Sequence, residues 1–391
     1  MFRMAVGHSD DIDLRTALAT VFEECDTALE GATPKAGFLL ANWEADHAAI
    51  IGAILARYPG IELVGSSTSG EMSSELGFVE DSIALALFAS DTVDVTVGLG
   101  RDLARDSGAA AREAVRDARS RTDLAPALCV IFPTIGVADP YELLDGLRAE
   151  LGPGVPILGG GASPRDPVDD PGATMSKQLI RDEVAEGGVA ILLFSGPLSY
   201  SYGVDTGWRG VGPRAVFNSI VDGKVHEIDG RPAIEFFDRY LGTATTAPPI
   251  ANPLAVFDTP AATDFYLRTA TYLDRSNGDV STFGPIPEGV TVQLTVAATD
   301  QIVEGVRSSV SEALRTFPSG AGPDAALVYS CATRRFLLGT RTSREIELMR
   351  DLLGRDVPIA GFYCLGEFAP LATGAGSRFH NATVVSVLLG A

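Results

Sequence analysis

The sequence predicts an α/β fold: three repeated β-α-β-α-β-β units forming mixed sheets, with helices on the outer faces and a β-hairpin-rich insertion. Three observations predict it. Continuous apolar runs of strand length alternate with amphipathic helical segments. The same order of elements recurs three times. A glycine-marked loop follows the third strand of every copy.

The clearest block runs "AGFLLAN", "EADHAAIIGAILARY", "IELVGSSTSGE" in the first copy. It returns as "ALCVIFP", "DPYELLDGLRAEL", "VPILGGGASPR" and again as "AALVYSC", "TSREIELMRDLLG", "VPIAGFYCLGE". Strands buried on both faces read as unbroken apolar runs, as these do. The helices carry their own punctuation. Asp139-Pro140 supplies a cap and a proline at the first helical position. Thr342 with Glu345 fits a capping box, and Gly152 and Gly354 stand where a C-terminal glycine belongs.

Each block is preceded by another strand and amphipathic helix: "RMAVG" with 11–29, "DVTVGLG" with 105–120 and "VTVQLTV" with 300–316. Each is followed by one more apolar strand, "SIALALFAS", "GVAILLFSG" and "ATVVSVLLG". Strand–helix–strand alternation implies parallel neighbours; the last strand, joined without a helix, pairs antiparallel. The apolar inner faces are expected to pack on each other in a four-layer α/β/β/α stack. The expected division is 1–199 and 200–391, the second part holding an insertion over 200–289 and the third unit over 290–391. The insertion reads as a hairpin around Asp222-Gly223, a short helix in "RPAIEFFDRYLG", the loop "TATTAPPIANP", and a second hairpin turning at Asn277-Gly278.

Composition narrows the function. The 391 residues carry a net charge of −21 and no run of Lys or Arg, which excludes a nucleic-acid-binding surface. No stretch approaches the roughly 20 apolar residues of a membrane span, and the start of the chain does not read as a signal peptide. Four scattered cysteines without a CxxC read as reduced thiols in a cytoplasmic protein, not as disulfides or a zinc site. There is no P-loop lysine, HExxH, GxSxG or dinucleotide fingerprint, so no catalytic set is assembled and no enzyme is expected; the less favoured alternative is a hydrolase that uses the serine-rich loop around Ser69.

Candidate ligand residues lie in the glycine-marked loops, at the carboxyl ends of buried strands, where α/β sheets bind guests. "GSSTSGE" brings Ser66, Thr68, Ser69 and Glu71; the second copy brings Ser163 and, where the others have Glu, Arg165; the third brings Tyr363, Cys364, Gly366 and Glu367. Glutamate suits an ammonium group, an arginine fork suits a carboxylate, and an aromatic wall takes the remainder, a set that fits an amino-acid-like zwitterion. The alternative is that the glycines and glutamates serve the backbone alone. Arg334 and Arg335 are placed to reach an anion or to pair on the surface. His380 and Asn381 open the last strand near the third loop. His8, His47 and His226 show no metal-ligand spacing, and no metal site is expected.

These residues carry a resemblance. "VGSSTSGE" with "DSIALALF", then "EIDGRPAIEFFDRYLG", "YSCATRRFLLG", "VPIAGFYCLGEFAP" and "FHNAT", in this order, resemble the FIST sensory-domain family over nearly the whole chain. The resemblance implies a small-ligand sensor, with amino acids as proposed ligands. It carries over to Glu71, Tyr363, Gly366, Glu367, His380 and Asn381 as candidates. Some members resemble haem-dependent nitric oxide sensors that act on a histidine kinase; in that alternative His380 is the axial ligand. The chain shows no output module, so the expected signal passes through a separate partner, and an oligomer is compatible with the sequence.

Overall fold

A computed structural model describes the chain except residues 165–174, 222–223, 243–247, 319, 321 and 373. Arg165, the turn expected at Asp222-Gly223 and the "TATTA" part of the insertion loop lie outside the described residues.

The first unit runs β1 (Phe2–Ser9), α1 (Leu14–Leu29), β2 (Ala36–Asn42), α2 (His47–Arg57), β3 (Glu62–Thr68), a hairpin of β4 (Glu71–Ser73) and β5 (Gly77–Val79), then β6 (Ile83–Ser90). The second repeats this order: β7 (Asp94–Gly100), α3 (Ser107–Arg119), β8 (Pro126–Pro133), α4 (Pro140–Leu151), β9 (Ile157–Gly160), the hairpin β10 (Lys177–Ile180) and β11 (Glu183–Glu186), and β12 (Val189–Ser195). The third begins with β13 (Ser199–Asp205), and the insertion follows it. The insertion holds β14 (Arg209–Val221), β15 (Lys224–Ile228), β16 (Arg231–Pro232), α5 (Ala233–Leu241), β17 (Leu254–Phe257), β18 (Tyr266–Arg268), β19 (Ala270–Asp274), β20 (Asp279–Thr282) and β21 (Thr291–Val296). The unit resumes with α6 (Thr299–Thr316), β22 (Ala325–Cys331), α7 (Ala332–Leu338), α8 (Ser343–Leu353), β23 (Ile359–Cys364), the hairpin β24 (Glu367–Pro370) and β25 (Ser377–His380), and β26 (Val384–Gly390).

This corrects the start of the third unit. "VTVQLTV" is β21, paired with β14 and β17 in the separate sheet of the insertion. The strand beside β26 is β13, "SYSYGVD". Its alternating Ser and Tyr hide it, while the more strand-like β21 stands directly before α6.

Three six-stranded sheets result, ordered β1-β6-β2-β3-β10-β11, β7-β12-β8-β9-β24-β25 and β13-β26-β22-β23-β4-β5. In each, the second and third strands of a unit run parallel and the last strand pairs antiparallel to its neighbours. The sheets are completed by trading hairpins in a cycle. The hairpin of the first unit pairs with β23 of the third, that of the second with β3 of the first, and that of the third with β9 of the second.

The stacking is therefore not four-layered. The inner faces of all three sheets close around one apolar core holding Phe38 and Phe88, Phe132 and Phe194, and Tyr329 and Phe362. The Phe38 and Phe132 rings stack at 4.8 Å, and Phe362 lies 6.2 Å from both. Each outer face is covered by its unit's helices through a smaller core. Three sheets can share a core because the edge of each unit at β3, β9 or β23 takes a hairpin from a neighbour, which removes the cost of unpaired buried backbone there.

Local signals hold where nothing competes with them. Asp139 caps α4, accepting from the N–H groups of Tyr141 and Glu142, with Pro140 in its first turn. Gly152 and Gly354 end α4 and α8 at φ 90° and 86°. The capping box at Thr342 does not form, because Glu345 is fully buried and engaged by Arg334.

Candidate functional site

The three glycine-marked loops meet. Ser69 N–H donates to the Tyr363 carbonyl and Tyr363 N–H to that of Gly70, both at 2.9 Å. Ser163 N–H donates to the Ser67 carbonyl at 2.8 Å, and Gly161 N–H to that of Gly366 at 2.9 Å. Ser69 Oγ lies 2.8 Å from Ser163 Oγ. Arg335 closes the hub from the third unit, donating to the Ser69 carbonyl at 2.9 Å and pairing with Glu80. The glycines are demanded by this crossing of chains: at Gly366 φ is 73°, and a Cβ there would stand 2.3 Å from the Phe379 ring.

Register makes the loops comparable residue by residue. Gly65, Gly159 and Gly361 lie opposite Leu39, Ile131 and Val328 in the parallel pairs. Glu71 then pairs with Phe362, Glu367 with Gly160, and Gln178 with Ser66, three equivalent places. The second-unit counterpart of the two glutamates is thus Gln178 and not Arg165. All three latch their hairpin to the residue before the unit's last strand. Glu71 Oε2 accepts from Ser82 Oγ at 2.6 Å and Ser82 N–H at 3.4 Å. Glu367 Oε2 accepts from Thr383 Oγ1 at 2.5 Å and N–H at 3.1 Å. Gln178 Oε1 accepts from Gly188 N–H at 3.1 Å. Thr68 Oγ1 also donates to Glu71, and Cys364 Sγ to Glu367 at 3.4 Å. Burial without a counter-charge pushes both carboxyls up to about 7.

Most sequence candidates therefore hold the hub together and point inward. Glu71, Glu367, Tyr363 and Cys364 are fully buried, and Tyr363 OH donates to Glu345 at 2.5 Å. Ser66 is buried at the position of Phe362, on the side of the central core. Arg334 is buried too, committed to Glu345 and the carbonyls of Thr206 and Ile302. Asn381 ties the insertion down by accepting from Thr269 N–H at 3.0 Å.

His380 is different. It is fully buried, and its Nε2 donates to the Ala369 carbonyl at 2.8 Å. That bond fixes the neutral tautomer and leaves Nδ1 as an acceptor. Nδ1 has no partner among the described residues, and burial pushes the ring down to about 4. His380 borders a cleft of about 400 Å3 between the third unit and the insertion, together with Asp205, Arg209, Phe265, Glu304 and Thr383. Thr383 joins cleft to hub, since its hydroxyl is the one that donates to Glu367. The other wall residues come from distant segments, and sequence reasoning missed them; only "FHNAT" pointed here. A haem does not suit this cleft: a porphyrin face needs an apolar slot, and carboxylates and a guanidinium line the walls.

The comparisons identify the family. The chain matches the FIST N domain over residues 35–231 and the FIST C domain over residues 233–370. It belongs to the FIST family, whose domains are signal-transduction sensory domains. The two matches join inside the insertion, downstream of the division expected from the sequence. An uncharacterized protein of Mycobacterium tuberculosis is 25% identical over 390 residues, covering 95% of both chains. One of Mycobacterium bovis is 23% identical over 386 residues with the same coverage. Among solved structures, cyanuric acid hydrolase from A. caulinodans covers 100% of this chain and 99% of its own, at 11% identity and a TM-score of 0.35. Among the described residues no helix is long and apolar enough to cross a membrane.

Proposed function

We propose that this protein is a cytoplasmic small-molecule sensor that binds an amino-acid-like ligand in the cleft beside His380 and passes the signal to a separate signalling protein, for example a histidine kinase. The observation that carries the reading is the buried, unpaired Nδ1 of His380, a residue that borders that cleft. A buried acceptor without a partner costs about 1–3 kcal/mol, and a ligand N–H or O–H removes that cost. The cleft volume of about 400 Å3 falls in the range of small-molecule sites. Glu304 and Asp264 offer negative charge to an ammonium group, Arg209 offers a fork to a carboxylate, and Phe265 covers an apolar side chain. Binding rather than turnover is favoured by the hub serines, Ser69 and Ser163, which bond to each other and, among the described residues, to no base. Because the cleft has one wall in the third unit and one in the insertion, a ligand that touches both shifts their relative positions.

The test is a thermal-shift screen of the common amino acids, one at a time, followed by calorimetry. At least one is expected to raise the melting temperature of the wild type and to lose at least about tenfold in affinity in both His380→Ala and Arg209→Met. A ligand that binds both variants as tightly as the wild type would place its site elsewhere.

A further inference from the structure

A second cavity, of about 510 Å3, lies toward the start of β13, where the third sheet meets the second. Its meaning comes from the matching junction between the second and first sheets. There the outward N–H of Val97 takes the Glu62 carboxylate at 3.3 Å, and the Val97 carbonyl takes Arg181 Nη2 at 2.7 Å. Asp117 takes Leu99 N–H at 3.1 Å and pairs with Arg181 at 3.0 Å. This ion-paired plug satisfies the free edge of β7.

At the same register in the third unit, Val97 becomes Tyr202 and Leu99 becomes Val204. Glu62 becomes Pro156, and Arg181 becomes Pro370. Proline supplies neither a carboxylate nor a guanidinium. Glu312, in the place of Asp117, turns away to bond Arg315 at 2.7 Å. The plug is missing, and the cavity stands where it would be. Tyr200, Tyr202, Val155 and Pro156 form apolar walls, and Arg148 reaches in from α4. Among the described residues that line it, Arg148 is charged and none is acidic, in a chain of net charge −21. Arg148 uses two donors, toward Asp145 and the Ser377 carbonyl, of the five it has.

We propose that this cavity binds an aromatic carboxylate. Its carboxylate takes the Tyr202 N–H as Glu62 takes that of Val97, Arg148 balances the charge, and the ring packs against Tyr200, Val155 and Pro156. The proposal stands apart from the cleft beside His380, whose residues it does not use.

The probe is naphthalene-1-carboxylate, titrated calorimetrically into the full chain, with the neutral naphthalene-1-carboxamide as control. One saturable site is expected for the acid, with the amide weaker. Arg148→Met is expected to cost at least about tenfold in affinity. Pro156→Glu, which restores the residue of the sister junction, should fill the site with the protein's own carboxylate and cost as much. Absence of saturable binding to the wild type overturns the proposal, and so does binding that Arg148→Met leaves unchanged. Circular dichroism establishes that each variant is folded; should Pro156→Glu not fold, Arg148→Met alone decides.

Discussion

Arg334→Met is expected to lower the free energy of unfolding by about 3–5 kcal/mol, the usual cost of removing one partner from a buried ion pair. Arg334 and Glu345 are both inaccessible to solvent. Arg334 Nε and Nη2 reach Glu345 Oε1 at 3.0 and 2.5 Å, while Ser330 Oγ and Tyr363 OH donate to Oε2 at 2.8 and 2.5 Å. Without the guanidinium, a carboxylate stays in the interior with only neutral donors. The same guanidinium donates to the carbonyls of Thr206 at 2.6 Å and Ile302 at 2.7 Å. Thr206 lines the cleft, so the variant should also weaken ligand binding under conditions where it remains folded. Urea denaturation measures the first effect. The double variant Arg334→Met/Glu345→Leu should recover only part of the stability: it removes the unpaired carboxylate, but the hydroxyls of Ser330 and Tyr363 and the carbonyls of Thr206 and Ile302 lose their partners.

Replacing Glu71 and Glu367 by glutamine is expected to stabilise the protein at pH 8 and to change little near pH 4.5. Both carboxyls rise from 4.5 unfolded to about 7 folded. The folded state then binds more protons than the unfolded one between those values, so each glutamate contributes stability at low pH that is lost as pH rises through that window. A difference of this size corresponds to about 3 kcal/mol per group. His8, His47 and His380 work in the opposite direction, since burial pushes each from 6.5 down to about 4; they add stability as pH rises from 4 to 6.5. The wild-type profile is therefore a partial cancellation, and the quantity to measure is its difference from the Glu71→Gln/Glu367→Gln double variant. That difference should grow in favour of the variant between pH 4.5 and 7 and then level off. Gln178 shows that an amide fits the same latch. Equal stability of the two proteins at pH 8 would mean that the carboxyls ionise at ordinary values.

The recurrence of the three units was legible because it is local. Apolar strand runs, the Asp139 cap and the glycine frame around Glu71 and Glu367 need only neighbouring residues to be recognised. The cyclic exchange of hairpins was not legible, since pairing of β4 with β23 is a contact across nearly the whole chain. The equivalence of Gln178 with the glutamates was hidden by the longer stretch between Gly161 and β10, which drew the comparison to Arg165. Glu345 carried the capping-box pattern, but a buried arginine claimed it first. Glu71 and Glu367, which the sequence offers as ligand groups, are buried and bonded to Ser82 and Thr383, contacts no local pattern shows. The cleft could not be assembled from sequence because Asp205, Phe265, Glu304 and His380 are brought together only by the insertion folding back on the third unit.

The placement of the ligand is tested most directly by nitrogen-15 NMR of protein labelled at its four histidines, with His380 assigned from His380→Ala. In the free protein His380 should be neutral well above pH 4, protonated on Nε2. Addition of the amino acid that raises the melting temperature should move its Nδ1 resonance while that of His226, on the β14–β15 hairpin, stays in place. A ligand that binds with full affinity and leaves the His380 Nδ1 resonance unmoved would contradict the assignment of the cleft.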